Sequence, residues 1–146
     1  MSHKEKALHL FSDGYLCSQS VLGAFAEEYK LPIWLALQLG TCFGAGMRKG
    51  EVCGACTGAL MVLGLMHSDP KDRMDACRNS DRFLDAFQKA NGSYLCNELL
   101  GCDVRTQDGI QYALDQHLFT EFCPKMVGSA VEILEEFLEE RHQLKR

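Results

Sequence analysis

Cys53 and Cys56 stand three residues apart in Glu51-Val52-Cys53-Gly54-Ala55-Cys56-Thr57-Gly58, within a chain of 146 residues that carries eight cysteines. On a helix, side chains three apart share a face, so this pair can reach each other or one metal ion. If Cys53 occupies the first turn of a helix, unpaired backbone N–H groups and the helix dipole favour its thiolate, and Arg48 and Lys49 add positive potential nearby. A cysteine so placed is a nucleophile near neutral pH. The bland alternative is that both thiols are small apolar fillers where a helix packs tightly beside Gly54, Ala55 and Gly58. No βαβ pattern, the usual setting of a thioredoxin-type site, surrounds them.

The elements that must position this pair read as helices. The chain has only three prolines. Apolar residues recur at three and four positions, and no stretch keeps the alternation of a half-buried strand. The pattern predicts an all-α fold, a single-domain helical bundle spanning residues 1–146. Helix one covers Glu5 to Phe11 and stops at Asp13-Gly14. Helix two starts near Ser18, carries Val21, Leu22, Phe25 and Ala26 inward and ends near Lys30, which puts Cys17 at its beginning. Pro32 opens a third helix containing Trp34, Leu35, Leu37 and Gln38.

That third helix runs into Thr41-Cys42-Phe43-Gly44-Ala45-Gly46-Met47-Arg48-Lys49-Gly50, a loop whose glycines permit sharp turns and close backbone approach. The segment from Cys53 to Met66 then predicts a central helix, apolar almost all round and buried in the bundle. Asp69-Pro70 begins a more polar helix with Met74, Cys77, Phe83, Leu84 and Phe87 facing the core, stopped by Asn91-Gly92. A short helical turn around Cys96 follows, then a helix from about Asp108 to Leu118. The last helix, about Glu121 to Arg141, carries Val127, Ala130, Val131, Leu134, Phe137 and Leu138 on one stripe and glutamates opposite. That stripe fits packing within the monomer or against a second copy, so a homodimer is open.

Composition narrows the function classes. At 47% hydrophobic residues the chain can build a core without disulfide help. The net charge of -5, with basic residues gathered only at Arg48-Lys49 and in the Arg141 to Arg146 tail, excludes nucleic acid as the main partner. The longest apolar run, Ala59 to Met66, is far below the roughly 20 residues needed to span a bilayer, so no membrane insertion is expected. The N-terminal Met-Ser-His-Lys-Glu-Lys lacks the features of a secretory signal, and a cytoplasmic location follows as the expectation. In a reducing compartment, closely spaced cysteines are more often catalytic, redox-sensing or metal-binding than permanent staples.

Four segments occur in a specific order: Cys17-Ser18-Gln19-Ser20-Val21-Leu22, the glycine-rich loop entering Cys53-Gly54-Ala55-Cys56-Thr57-Gly58, Cys96-Asn97-Glu98-Leu99-Leu100-Gly101, and Cys123-Pro124-Lys125-Met126-Val127. Together they resemble the redox-active family named for a Cys-Gly-Ala-x-x-Gly motif with single cysteines before and after it. The resemblance covers nearly the whole chain, implies a small helical domain, and assigns the family's cysteine positions to Cys17, Cys53, Cys96 and Cys123. Cys56 stands at a variable position of that motif, and Cys42, Cys77 and Cys102 lie outside the pattern.

Physically, Cys17 and Cys53 begin helices, Cys96 lies in a loop beside a helical turn, and Cys123 opens the last helix. These four are expected to converge on one pocket lined by the glycine-rich loop. Cys77, on a core-facing stripe, is expected to be a buried inert thiol, whereas Cys42 and Cys102 are within reach of the pocket. His67, His117 and His142 suit surface or capping roles, and no Cys–His zinc spacing occurs. Glu51 suits a helix-start acid or a proton acceptor for the thiol. Gly44, Gly46 and Gly58 suit tight turns and close helix approach, since phosphate-motif spacing is missing.

The leading expectation is a thiol–disulfide redox protein, a possible oxidoreductase, with the cofactor left open between none, zinc and iron–sulfur. Cys53 is its attacking thiolate, one of Cys56, Cys17, Cys96 or Cys123 its resolving thiol, and a redox protein or small thiol its partner. The alternative is a metal site in which Cys17, Cys53, Cys96 and Cys123 ligate zinc or an iron–sulfur cluster. A third reading is a helical interaction protein with incidental thiols.

Overall fold

The computed structural model describes residues 1–67 and 69–144; Lys145 and Arg146 of the basic tail lie outside the described residues. Among the described residues the protein is all-α, with eight α-helices and no β-sheet. Helix α1 (His3–Ser12) begins with a capping box, Ser2 Oγ accepting from the Glu5 amide at 3.1 Å and the Glu5 carboxylate from the Ser2 amide at 3.0 Å. Helix α2 (Cys17–Phe25) continues into a tight turn (Ala26–Tyr29) that ends at the left-handed Lys30, and Pro32 precedes α3 (Ile33–Gly40). Then come α4 (Gly54–Met66), α5 (Arg73–Asn91), the short α6 (Cys96–Leu100), α7 (Gln107–Asp115) and α8 (Cys123–Leu144).

The fully enclosed helix is α2, not the segment after Cys53. Every residue from Ser18 to Phe25 is buried, and α1, α3, α4 and α8 all pack on it. Its polar residues hid this, because they are satisfied internally and so can be buried cheaply. Ser18 Oγ donates to the Gly40 carbonyl at 2.7 Å and Ser20 Oγ to the Leu16 carbonyl at 2.8 Å. Gln19 accepts from the Leu16 amide at 2.8 Å and donates to the Leu37 carbonyl at 2.9 Å, which pins α3 to the start of α2.

Helix α4 packs against α2 through Gly58, where a Cβ would lie 2.7 Å from the Ser18 carbonyl oxygen. Cys56, Ala59, Val62, Leu63 and Met66 of α4 point inward, while Thr57, Leu60, Met61 and Leu65 are only partly covered and Gly64 is exposed. The apolar stripe of α8 is used within the monomer: Val127, Ala130, Val131, Leu134 and Phe137 are buried in the main core with Phe83 and Phe87 of α5.

Three expectations need correction. Met74 is 78% exposed and Cys77 is exposed as well. Helix α5 starts at Arg73 rather than at Asp69-Pro70, and its covered stripe runs from Phe87 and Phe83 through Ser80 and Ala76, which leaves positions 74 and 77 off it. Cys77 is therefore not a buried filler. His67 does take the capping place expected of it: it is the C-cap of α4, buried, with Nδ1 at 2.8 Å from the Leu63 carbonyl oxygen one turn back.

Candidate functional site

Four helix starts meet at one end of the bundle. Cys17 is the first residue of α2, Cys96 of α6 and Cys123 of α8, and Cys53 is the N-cap of α4. All four line a single cavity of about 500 Å³. Two local devices put them there. Gly54 lets α4 approach the start of α2, so closely that a Cβ on it would sit 3.3 Å from the Cys17 Cβ. A two-residue antiparallel pairing of Val52 with Leu95 clamps the second and third cysteines. The Cys53 amide donates to the Tyr94 carbonyl at 2.8 Å and the Cys96 amide to the Glu51 carbonyl at 2.6 Å.

The glycine-rich loop closes the site by an uncommon route. Ala45, Gly46, Met47 and Arg48 are consecutive left-handed residues, with φ of 54°, 62°, 57° and 66°. Three of them carry a Cβ, and each such residue costs roughly 1–2 kcal/mol in this conformation. The turn brings Gly46 over Cys96, whose Cβ would be 2.9 Å from a Cβ at Gly46. Asn97 packs against Gly50 and locks the next loop, accepting from the Val104 amide at 2.9 Å and donating to Asp103 at 3.1 Å. Arg48 lands on the cavity wall, and much of the remaining lining is apolar, with Leu99, Val104, Ile110, Phe119 and Phe122.

The thiols do not share one electrostatic fate. Cys53 is held below the usual thiol range: the Cys56 thiol donates to its sulfur, and the Ala55 and Cys56 amides of the first α4 turn do the same, outweighing the opposing effect of burial. Cys53 stands at the N-cap of α4, one residue ahead of the expected first turn, which puts its sulfur beside the amides that open the helix. Hydrogen bonds, not the charge of the Arg48-Lys49 pair, account for this lowering.

The neighbouring thiols move the other way. Cys56 is pushed far up by burial, by its hydrogen bond to Cys53 and by the Cys53 charge. Cys17 is raised by its hydrogen bond with Cys123, then by burial and the Cys53 charge. Burial first, then the charges of Cys53, Cys123 and Cys102, push Cys96 up to about 12. The result is a lowered Cys53 beside raised Cys17, Cys56 and Cys96.

Residues 15–137 match the family described as "Putative redox-active protein (C_GCAxxG_C_C)". The chain belongs to this family. No curated protein and no solved structure matches it. The family's description supports a cysteine-based redox function in the broad sense, and Cys17, Cys53, Cys96 and Cys123 line the cavity. All eight cysteines are free thiols.

The family's cysteines surround a cavity rather than a point. Among the described residues no group of three or more cysteine, histidine or acidic side chains is arranged to hold a metal ion, so the zinc or iron–sulfur ligand set of the alternative reading does not fit. Neither Cys42, which is exposed, nor Cys102 lines the cavity, although Cys102 packs with Cys96 in a small apolar cluster beside it. Glu51 contributes its backbone carbonyl, which accepts from Cys96. Missed by the sequence reading were the apolar walls. Their readable sign was the bulky pairs beside the lone cysteines, Leu99-Leu100 after Cys96 and Phe119 and Phe122 before Cys123.

Proposed function

We propose that this protein performs thiol–disulfide exchange, with Cys53 as nucleophile and Cys56 as resolving thiol. The observation that carries this reading is the placement of Cys53 at the N-cap of α4 on the cavity wall with Cys56 one turn behind it, where Cys56 and the first-turn amides hold Cys53 below the usual thiol range. A thiolate is the attacking species in such exchange. Cys53 attacks one sulfur of a substrate disulfide, that bond breaks, and the first half leaves as a thiolate. Once Cys53 is in a mixed disulfide its charge is gone, and with it two of the causes that hold Cys56 protonated. Cys56 then gives its proton to a leaving thiolate and attacks the Cys53 sulfur. The second half departs and an internal disulfide remains.

The test is a thiol–disulfide redox titration read by mass spectrometry after alkylation. The wild-type protein should form a reversible Cys53–Cys56 disulfide, Cys53→Ser should form none at this site, and Cys56→Ser should stop at a mixed disulfide on Cys53. An unchanged titration in Cys53→Ser refutes the assignment.

A further inference from the structure

The cavity in front of Cys53 selects by size, by apolarity and by charge. Its volume of about 500 Å³ falls within the roughly 300–1,000 Å³ of small-molecule sites. Cys53 is only 6% exposed, so a disulfide on the surface of a folded protein has little direct access to it, whereas a molecule that enters the cavity has. Beside the thiols the lining is apolar: Leu99, Val104, Ile110, Phe119 and Phe122.

Arg48 is the one basic residue among those lining the cavity. It has no carboxylate partner among the described residues, since their ion pairs involve other cations. Its backbone is held left-handed at the end of the strained run that closes the site. Strain of this kind persists only where surrounding structure enforces it, and it gathers at ligand clamps. An arginine guanidinium is suited to pairing with a planar carboxylate.

We propose that the substrate of Cys53 is a small organic disulfide with an apolar body and a carboxylate, the carboxylate pairing with Arg48 and the body lying against Phe119 and Phe122. This rests on the thiol–disulfide reading above and deepens it. Two electrons pass from the Cys53–Cys56 pair to the substrate. One S–S bond breaks in the substrate and one forms in the protein, and the two product halves leave as one thiolate and one thiol carrying the Cys56 proton.

The experiment uses three probes on the reduced full chain: the disulfide of meta-mercaptobenzoate, its neutral diamide, and oxidised glutathione. The rate of Cys53–Cys56 disulfide formation with each is divided by the rate of the same probe with free N-acetylcysteine thiolate, which removes intrinsic reactivity. The benzoate should exceed the diamide by roughly tenfold, the size of one charge-assisted hydrogen bond, and both should exceed glutathione. Arg48→Gln should bring the two aromatic rates together, and Arg48→Lys, which keeps the charge, should retain much of the difference. Equal rates for benzoate and diamide in the wild-type protein overturn the role of Arg48, and a glutathione rate above both overturns the apolar substrate. If no probe oxidises Cys53, the exchange reading itself fails, which is a separate outcome.

Discussion

At the scale of single residues, the site depends on one asymmetry: two cysteines three apart, one lowered and one raised. Cys53 is lowered first by Cys56 and then by the amides that open α4, while Cys56, one turn inside, is fully buried. Because the Cys53 value lies below that of an ordinary thiol, its thiolate persists to lower pH than a free thiol near 8.5. The iodoacetamide reaction of Cys53 should therefore level off at a lower pH than that of a free thiol. Cys56→Ala removes the leading donor, so the reaction at neutral pH should slow by about tenfold, the worth of one hydrogen bond to a charged group, and its inflection should move up. Cys56→Ser keeps a donor and should fall between. If Cys56→Ala leaves the rate–pH curve where it was, the hydrogen bond from Cys56 is not what sustains the thiolate.

At the scale of elements, the helices were legible in the sequence because punctuation and periodicity agree: Asp13-Gly14, Pro32 and Asn91-Gly92 sit where α1 and α5 end and α3 begins. The convergence of four cysteines was legible from three helix starts and a loop, although Cys96, expected in that loop, itself opens α6. What was not legible is the order of burial, since the apolar count favours α4 whereas α2 hides two serines and a glutamine by satisfying them. Nor was the left-handed run from Ala45 to Arg48, because only one of its four residues is the glycine that such a backbone signals. Both features are testable. Gly58→Ala drives a methyl into the Ser18 carbonyl and should cost about 1–3 kcal/mol by chemical denaturation, as overpacking does. Met47→Gly relieves a left-handed side chain worth roughly 1–2 kcal/mol, less the entropy that glycine adds to the unfolded chain. It should stabilise the protein modestly, and a clear loss of stability would mean that Met47 makes packing contacts that outweigh its strain.

At the scale of the whole molecule, a core in which one thiol is lowered and three are raised links folding to pH with opposite signs. Cys17, Cys56 and Cys96 are raised in the folded state, so the stability they contribute is complete below the unfolded thiol value and is lost as pH rises beyond it. Cys53 is lowered, so its contribution is complete above the unfolded value and is lost as pH falls through its folded one. Stability should thus climb gently toward pH 8.5 and then turn down. Beyond that point the Cys53 contribution no longer changes, while each raised thiol costs about 1.4 kcal/mol per pH unit. Three together give a slope approaching roughly 4 kcal/mol per unit before Tyr29, pushed up to about 12 by burial, adds its own. Urea denaturation under reducing conditions between pH 7 and pH 10 measures this curve. Cys96→Ser should remove about a third of the alkaline slope, whereas Cys77→Ser, at an exposed position on α5, should leave it as it was. A wild-type stability that stays flat from pH 8.5 to pH 10 would show that the folded protein releases these protons as readily as the unfolded chain, and the protonated shell around Cys53 would have to be abandoned.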